Sequence, residues 1–198
     1  MDEQTINTYN ALAKDYDDET VEFWDLFPKE VFDKFISFMG KGRVLDIGSG
    51  PGRDAVFLRD RGAEVVCLDA SEAMIVMTSE KGFESVRADF MHLPFPDESF
   101  DGVWAYTALL HISKADVHAP LEEARRVLKK GGIFDFGMIE GEGEIYRESS
   151  GVKSPRLFSL YTKREMEMLL HDHGFEVLHY SEFKPRSKNY LNFISKKI

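Results

Sequence analysis

The chain has 198 residues, 43% of them apolar, enough for one well-packed core and short of two ordinary domains. Its 35 acidic against 25 basic residues give a net charge of −10, a balance that repels phosphate backbones and argues against nonspecific nucleic-acid binding. The single cysteine, Cys67, excludes an intrachain disulfide or a cysteine metal cluster, and its apolar neighbours mark it as a small buried hydrophobe.

The charge is uneven along the chain. Residues 1–40 hold ten Asp and Glu against three Lys, so the leader is an acidic cap at −7. Within it Ile6, Tyr9, Leu12, Ala13 and Tyr16 recur at helical spacing, as do Phe23, Phe27, Val31, Phe35 and Phe38, which predicts helices over 5–16 and 21–39. A strand over 43–47 runs into Val44-Leu45-Asp46-Ile47-Gly48-Ser49-Gly50-Pro51-Gly52, a helix over 53–61 follows, and a second strand over 64–68 ends at Asp69. An apolar run, a glycine-rich turn, a helix and an apolar run ending in an acid make the layout of a nucleotide-binding βαβ unit. The glycines let the backbone pass close to a ligand, and the carboxylate of Asp69 falls where it can accept hydrogen bonds from ribose hydroxyls. The spacing is D-x-G-x-G-x-G, and Arg53 stands where the dinucleotide fingerprint G-x-G-x-x-G reserves its last glycine, which weakens an NAD reading. No G-x-x-x-x-G-K-[ST] occurs, so a phosphate-cradling P-loop is unsupported. The bland alternative is a tight strand-to-helix turn with no ligand.

Beyond Asp69 the pattern predicts helices over 71–81, 114–129 and 162–173 and strands over 84–87, 101–105, 133–139, 175–181 and 190–195. Ser71 followed by Glu72 suits an N-cap, and Thr162 with Glu165 has capping-box spacing. Strands alternating with helices imply an α/β fold with a doubly wound, mostly parallel sheet of seven strands, preceded by the leader helices. With no repeat, linker or low-complexity tract, residues 1–198 read as one domain. It divides into a helical cap at 1–40, a cofactor-binding core at 41–139, a substrate-side segment at 140–161, and a last helix and strand pair at 162–198. The 140–161 segment is long, glycine-rich and aromatic, which suits a lid over a substrate. Its Arg147, Arg156 and Tyr161 could grip an anionic or polar molecule, or the arginines could simply pair with the many neighbouring acids. Residues 184–198 hold five Lys and Arg and no acid, and are read as the solvated ends of a last hairpin. The histidines are scattered, and His171-Asp172-His173 puts its two rings on different helix faces, so no metal is expected. The opening residues have no basic or apolar targeting pattern and no run reaches membrane-spanning length, giving the expectation of a cytoplasmic protein off the membrane.

These motifs, in this order, closely resemble the class I S-adenosylmethionine-dependent methyltransferases, in particular those acting on small molecules. Asp46 through Gly52 match the family's first motif and Asp69 the acidic end of its second strand. Ala88-Asp89-Phe90 match its adenine-contacting turn, Phe100 to Ala105 its fourth strand, and Glu123 to Gly132 the helix and turn before its fifth. The resemblance implies a Rossmann-like sheet with a reversed C-terminal hairpin, S-adenosylmethionine as cofactor and S-adenosylhomocysteine as product. It assigns Asp46 and the Gly48-Ser49-Gly50-Pro51-Gly52 backbone to the methionine moiety, Asp69 to the ribose, Ala70 and Met74 to the adenine face, and Asp89 to the adenine amino group. Ala88 belongs to the same turn, and Phe90 adds backbone contact to the ring edge. Tyr106 should approach the methyl end, and Tyr16 resembles the aromatic that the family's leader lays over its cofactor. Asp89 as a turn cap and Tyr16 as helix packing are the competing structural readings.

Methyl transfer is an in-line displacement at a carbon activated by positive sulfur, so the protein aligns, excludes water and manages the nucleophile's proton. His111, in Leu109-Leu110-His111-Ile112, is the candidate base, against a packed or helix-capping histidine. The leading expectation is methylation of a small-molecule acceptor by a monomer or homodimer. The alternatives are a tRNA methyltransferase, which predicts a basic funnel, and a noncatalytic protein that binds S-adenosylmethionine without turnover.

Overall fold

The structure is a computed structural model describing residues 2–149 and 151–198; Met1 at the head of the leader and Ser150 within the 140–161 segment lie outside the described residues. Among the described residues nine strands and six helices follow one another, beginning with α1 (Glu3–Leu26), α2 (Glu30–Met39), β1 (Arg43–Ile47), α3 (Arg53–Asp60), β2 (Glu64–Asp69), α4 (Glu72–Glu80) and β3 (Glu84–Arg87). The chain continues through β4 (Phe100–Tyr106), a 3-10 turn at Leu109–His111, α5 (His118–Val127), β5 (Leu128–Ile139), β6 (Glu144–Arg147), β7 (Arg156–Ser159), α6 (Lys163–Asp172), β8 (Phe175–Phe183) and β9 (Tyr190–Lys197).

Seven strands form one sheet in the order β3-β2-β1-β4-β5-β9-β8, with β9 antiparallel to both neighbours and the other pairings parallel. The chain winds outward from β1 to β3, then returns to β4 on the other side of β1. The crevice at the carboxyl ends of β1 and β4 is therefore the switch point where such sheets bind ligands. Side chains alternate between two buried faces. Leu45, Ile47, Val103, Ala105, Phe134 and Phe136 meet Leu121 and Ala124 of α5 and Leu170 of α6. Val44, Cys67 and Trp104 meet Phe32 and Phe35 of α2 and Leu58 of α3. Gly102 lets α2 in, since a Cβ there would lie 2.6 Å from Met39 Sδ and 2.8 Å from Phe35 Cζ.

Several boundaries differ from the periodicity. The leader helix does not stop at 16 but runs to Leu26, with a break at Leu12 (φ −125°, ψ 28°), and the expected 21–39 helix is cut in two. Pro28 explains the cut: it has no N–H to donate and drives Phe27 into extended backbone (φ −60°, ψ 133°). The expected 114–129 helix is shorter at both ends. It starts at His118, and at Leu128 the chain already pairs with Phe100 as the start of β5. The 140–161 segment holds an antiparallel hairpin, β6 with β7, that no alternation in the sequence announced. The caps at Ser71 and Thr162 form as expected, the latter with both capping-box hydrogen bonds.

Candidate active site

The turn after β1 is built by glycines that other residues could not replace. Gly48 and Gly50 have φ of 67° and 51°, and a Cβ on Gly48 would sit 2.4 Å from that of Ala108. Gly48 and Ser49 donate their N–H to Leu68 O at 2.8 and 3.1 Å, which ties the turn to the end of β2. There Asp69 uses both oxygens, accepting from Gly50 N at 3.0 Å and from Ser71 N at 2.8 Å. Its carboxyl is 8% exposed, and burial raises its pKa to about 6 against the lowering effect of those amides. Asp46 is also held well above the usual carboxylate range, by burial and then by the charges of Asp54, Asp69 and Asp135. Asp54, on the first turn of α3, accepts from Trp104 Nε1 at 2.7 Å and is pushed up to about 7, chiefly by burial. Three carboxyls therefore crowd beneath one turn, and Asp46 Oδ2, Ser49 Oγ and the Tyr106 hydroxyl are buried without a partner among the described residues. Such a site favours a cation that also donates hydrogen bonds.

Over this turn lies α1. Its Asn10 side-chain oxygen accepts from Ser71 Oγ at 2.9 Å, tying α1 to the start of α4. Its Asp17 takes Arg53 in an ion pair at 2.6 Å, so the arginine at the last fingerprint position braces the leader. Tyr9 and Tyr16 bring their rings edge to face at 5.1 Å. Gly48, Ser49, Gly50, Asp69, Met74, Phe90, Tyr106, Thr107, His111 and the two tyrosines line an inner pocket of about 50 Å3. It opens beside a cleft of about 850 Å3 whose wall shares Tyr9, Tyr16, Trp24, Thr107 and His111. Thr107, between the two spaces, has φ 54°, a left-handed conformation costing a non-glycine about 1 kcal/mol or more.

His111 is 6% exposed and joined to two other elements, α1 and β7. Its Nδ1 lies 2.6 Å from Leu157 O, and a carbonyl only accepts, so Nδ1 carries the proton. Nε2 is then the acceptor for the Tyr9 hydroxyl at 2.8 Å. Arg156 Nη1 in turn donates to the Tyr9 oxygen at 3.2 Å. Burial, followed by the Arg156 and Arg147 charges, lowers the His111 pKa to about 3, overriding the Leu157 hydrogen bond that raises it, so the ring is neutral. The chain Arg156 to Tyr9 to His111 to Leu157 thus places a phenol and an unprotonated ring nitrogen in series at the junction of pocket and cleft.

Of the residues singled out in sequence, Tyr16, Gly48, Ser49, Gly50, Asp69, Met74, Phe90, Tyr106 and His111 meet at the inner pocket, with Asp46 buried beside it. Gly52 starts α3, and its Cβ position faces Thr78. Ala70, Ala88 and Asp89 do not line the pocket; Asp89 accepts from Met91 N at 3.0 Å, the turn-capping alternative. Arg156 lines the cleft, and Arg147 lies 4.0 Å from the ring of Phe158, a residue on its wall. Tyr161 is elsewhere, buried beside Lys114, whose ammonium is 4.5 Å from its ring. Sequence reasoning missed Tyr9, Asp54, Thr107 and Lys188. Tyr9 was visible only as the aromatic seven residues before Tyr16, hence on the same helix face.

Comparison with known proteins bears on the family and the fold. A family model described as a methyltransferase domain matches residues 45–136. A sterol 24-C-methyltransferase of Gibberella zeae is 38% identical over 101 residues, covering 46% of this chain and 26% of that enzyme. An uncharacterized protein of Methanocaldococcus jannaschii is 30% identical over 146 residues, 72% of this chain and 68% of its own. The chain thus spans about a quarter of the first relative and two thirds of the second. A 1,6-didemethyltoxoflavin-N1-methyltransferase of Burkholderia thailandensis, solved with 1,6-didemethyltoxoflavin and S-adenosylhomocysteine, superposes with TM-score 0.75 at 20% identity. The superposition covers 97% of this chain and 87% of that one, a likeness of fold.

Proposed function

The chain belongs to the class I S-adenosylmethionine-dependent methyltransferases, and from that premise we propose that it methylates a small-molecule acceptor by in-line displacement. The observation that carries the reading is the crowd of carboxyls under the glycine turn, Asp46, Asp54 and Asp69, beside buried polar atoms with no partner. S-adenosylmethionine brings an ammonium, a sulfonium and ribose hydroxyls, which are what such a site lacks. A dinucleotide would bring a pyrophosphate, which those carboxyls repel.

When bound, S-adenosylmethionine supplies a methyl carbon activated by positive sulfur; attack breaks that carbon–sulfur bond and leaves S-adenosylhomocysteine. Asp69 would accept from the ribose hydroxyls, the Gly48 to Gly50 backbone would pass close to the methionine moiety, and Met74 and Phe90 would offer an apolar face to the adenine. Tyr16 covers the turn and keeps water from it. The inner pocket of about 50 Å3 adjoins the cleft of about 850 Å3, so a bound cofactor would extend from the glycine turn into the space the two share. An acceptor in the cleft meets the Tyr9 hydroxyl. As the new bond forms, its proton passes to the Tyr9 oxygen while the Tyr9 proton passes to His111 Nε2. Small-molecule acceptors fit the named substrates of the sterol and toxoflavin relatives.

The test is transfer of labelled methyl from S-adenosylmethionine into three separate pools: small-molecule extract, total tRNA and total protein. Label in the small-molecule pool is the expected result. Label in tRNA alone would replace the acceptor class, and cofactor binding with no label in any pool would make the chain a noncatalytic binder.

A further inference from the structure

Three cations converge on one phenylalanine beside the proposed proton route. The Arg147 and Arg156 guanidinium carbons lie 4.0 and 5.5 Å from the centre of the Phe158 ring, and the Lys188 ammonium lies 6.0 Å from it. Phe158 in turn packs edge to face on His111 at 5.0 Å. Among the described residues no carboxylate pairs with any of the three cations. Of the cleft's acids, Glu22 pairs with Arg186, and Glu19 accepts from Ser149 Oγ at 2.7 Å while its charge also reaches Lys188. Arg156 is 4% exposed and spends two nitrogens on the Tyr9 and Ser149 oxygens, yet its Nε is buried with no partner, as is Nη2 of Arg147.

Like charges gathered together repel one another, and buried guanidinium N–H groups without acceptors cost free energy. Both costs vanish when an anion sits among them. Guanidinium forks match the paired oxygens of a carboxylate or a phosphoryl group, and a mobile ammonium adds a point charge. We propose that Arg147, Arg156 and Lys188 form a subsite for the anionic group of the methyl acceptor, which is therefore a small carboxylate or phosphoryl compound whose reacting atom lies at Tyr9. The assignment rests on the methyltransferase reading of the same site. Two properties agree with it. Partial burial, then the neighbouring guanidiniums, lower the Lys188 pKa against the raising charge of Glu19, so the cation is only partly balanced where it stands. Burial lowers the His111 pKa most and the Arg156 and Arg147 charges add a smaller share, which an anion on them would offset when the acceptor is present.

Calorimetric titration of the S-adenosylhomocysteine-loaded protein with inorganic phosphate, with acetate and with neutral acetamide tests the assignment. At least one anion should bind roughly tenfold or more tighter than acetamide, and both Lys188→Gln, at an exposed position, and Arg147→Gln should lose most of that preference. Phosphate preferred over acetate marks a phosphoryl acceptor, and the reverse a carboxylate. Anions binding no better than acetamide, or equally well in both variants, would overturn the subsite while S-adenosylhomocysteine binding kept the methyltransferase reading. A wild-type protein that fails to bind S-adenosylhomocysteine would refute that reading, and the acceptor assignment with it.

Discussion

Replacing Asp69 by Asn separates what this residue does for the fold from what it does for the cofactor. In the structure its two oxygens hold Ser71 N at 2.8 Å and Gly50 N at 3.0 Å. Asn keeps one acceptor and turns an NH2 toward the other amide, a loss of about 1–3 kcal/mol. It also removes a buried charge. A carboxyl raised from 3.8 to about 6 costs the folded state roughly 3 kcal/mol at neutral pH, at ~1.4 kcal/mol per factor of ten. The two effects oppose each other, so Asp69→Asn should unfold within about 2 kcal/mol of wild type at pH 7.5. Because the folded pKa lies above the unfolded one, the wild-type penalty is absent below pH 3.8, grows until about pH 6 and is then constant. The variant should therefore gain on wild type across that window. Cofactor binding has no such compensation. Losing charge-assisted hydrogen bonds from the ribose costs about 2 kcal/mol, roughly a 30-fold weaker Kd. Urea melts from pH 4 to 7.5 and calorimetric titration with S-adenosylhomocysteine read the two quantities. A folded variant with wild-type affinity would refute the ribose role of Asp69.

Other outcomes follow from the same geometry. Tyr9→Phe and His111→Gln should each slow labelled-methyl incorporation by about 100-fold or more while S-adenosylhomocysteine still binds; an unchanged rate in Tyr9→Phe would make that ring a packing element only. S-adenosylmethionine affinity should fall about tenfold per pH unit below the Asp69 value of about 6, with proton release on binding seen as a buffer-dependent heat. A flat profile from pH 5 to 8 would mean that the carboxyls do not face the cofactor. Gly102→Ala should destabilise by about 1–3 kcal/mol in urea, since its Cβ must displace Met39 and Phe35; no shift would mean that α2 is not docked on β4.

The cofactor half of this protein is local in sequence, which is why it can be read there. The D-x-G-x-G-x-G turn and Asp69 sit on one βαβ unit, where spacing fixes proximity, and seven strands and the helices between them follow from alternation. What spacing does not carry is contact between distant segments. Tyr9 meets His111 across 102 positions and Arg156 across 147, so a leader aromatic that reads as core packing becomes part of a proton route. Lys188, read as part of a solvated basic tail, turns toward Phe158 because the C-terminal hairpin returns over the cleft. The leader boundary erred for a local reason instead, since aromatic periodicity at Phe23, Phe27 and Val31 outweighed the break that Pro28 imposes.

A crystal structure with S-adenosylhomocysteine tests the central claim most directly. The account predicts ribose hydroxyls within hydrogen-bond distance of Asp69, adenine against Met74 and Phe90, and the sulfur facing the space between Tyr9 and His111. A ligand seated away from the glycine turn, or turned so that its sulfur faces away from the cleft, would contradict it.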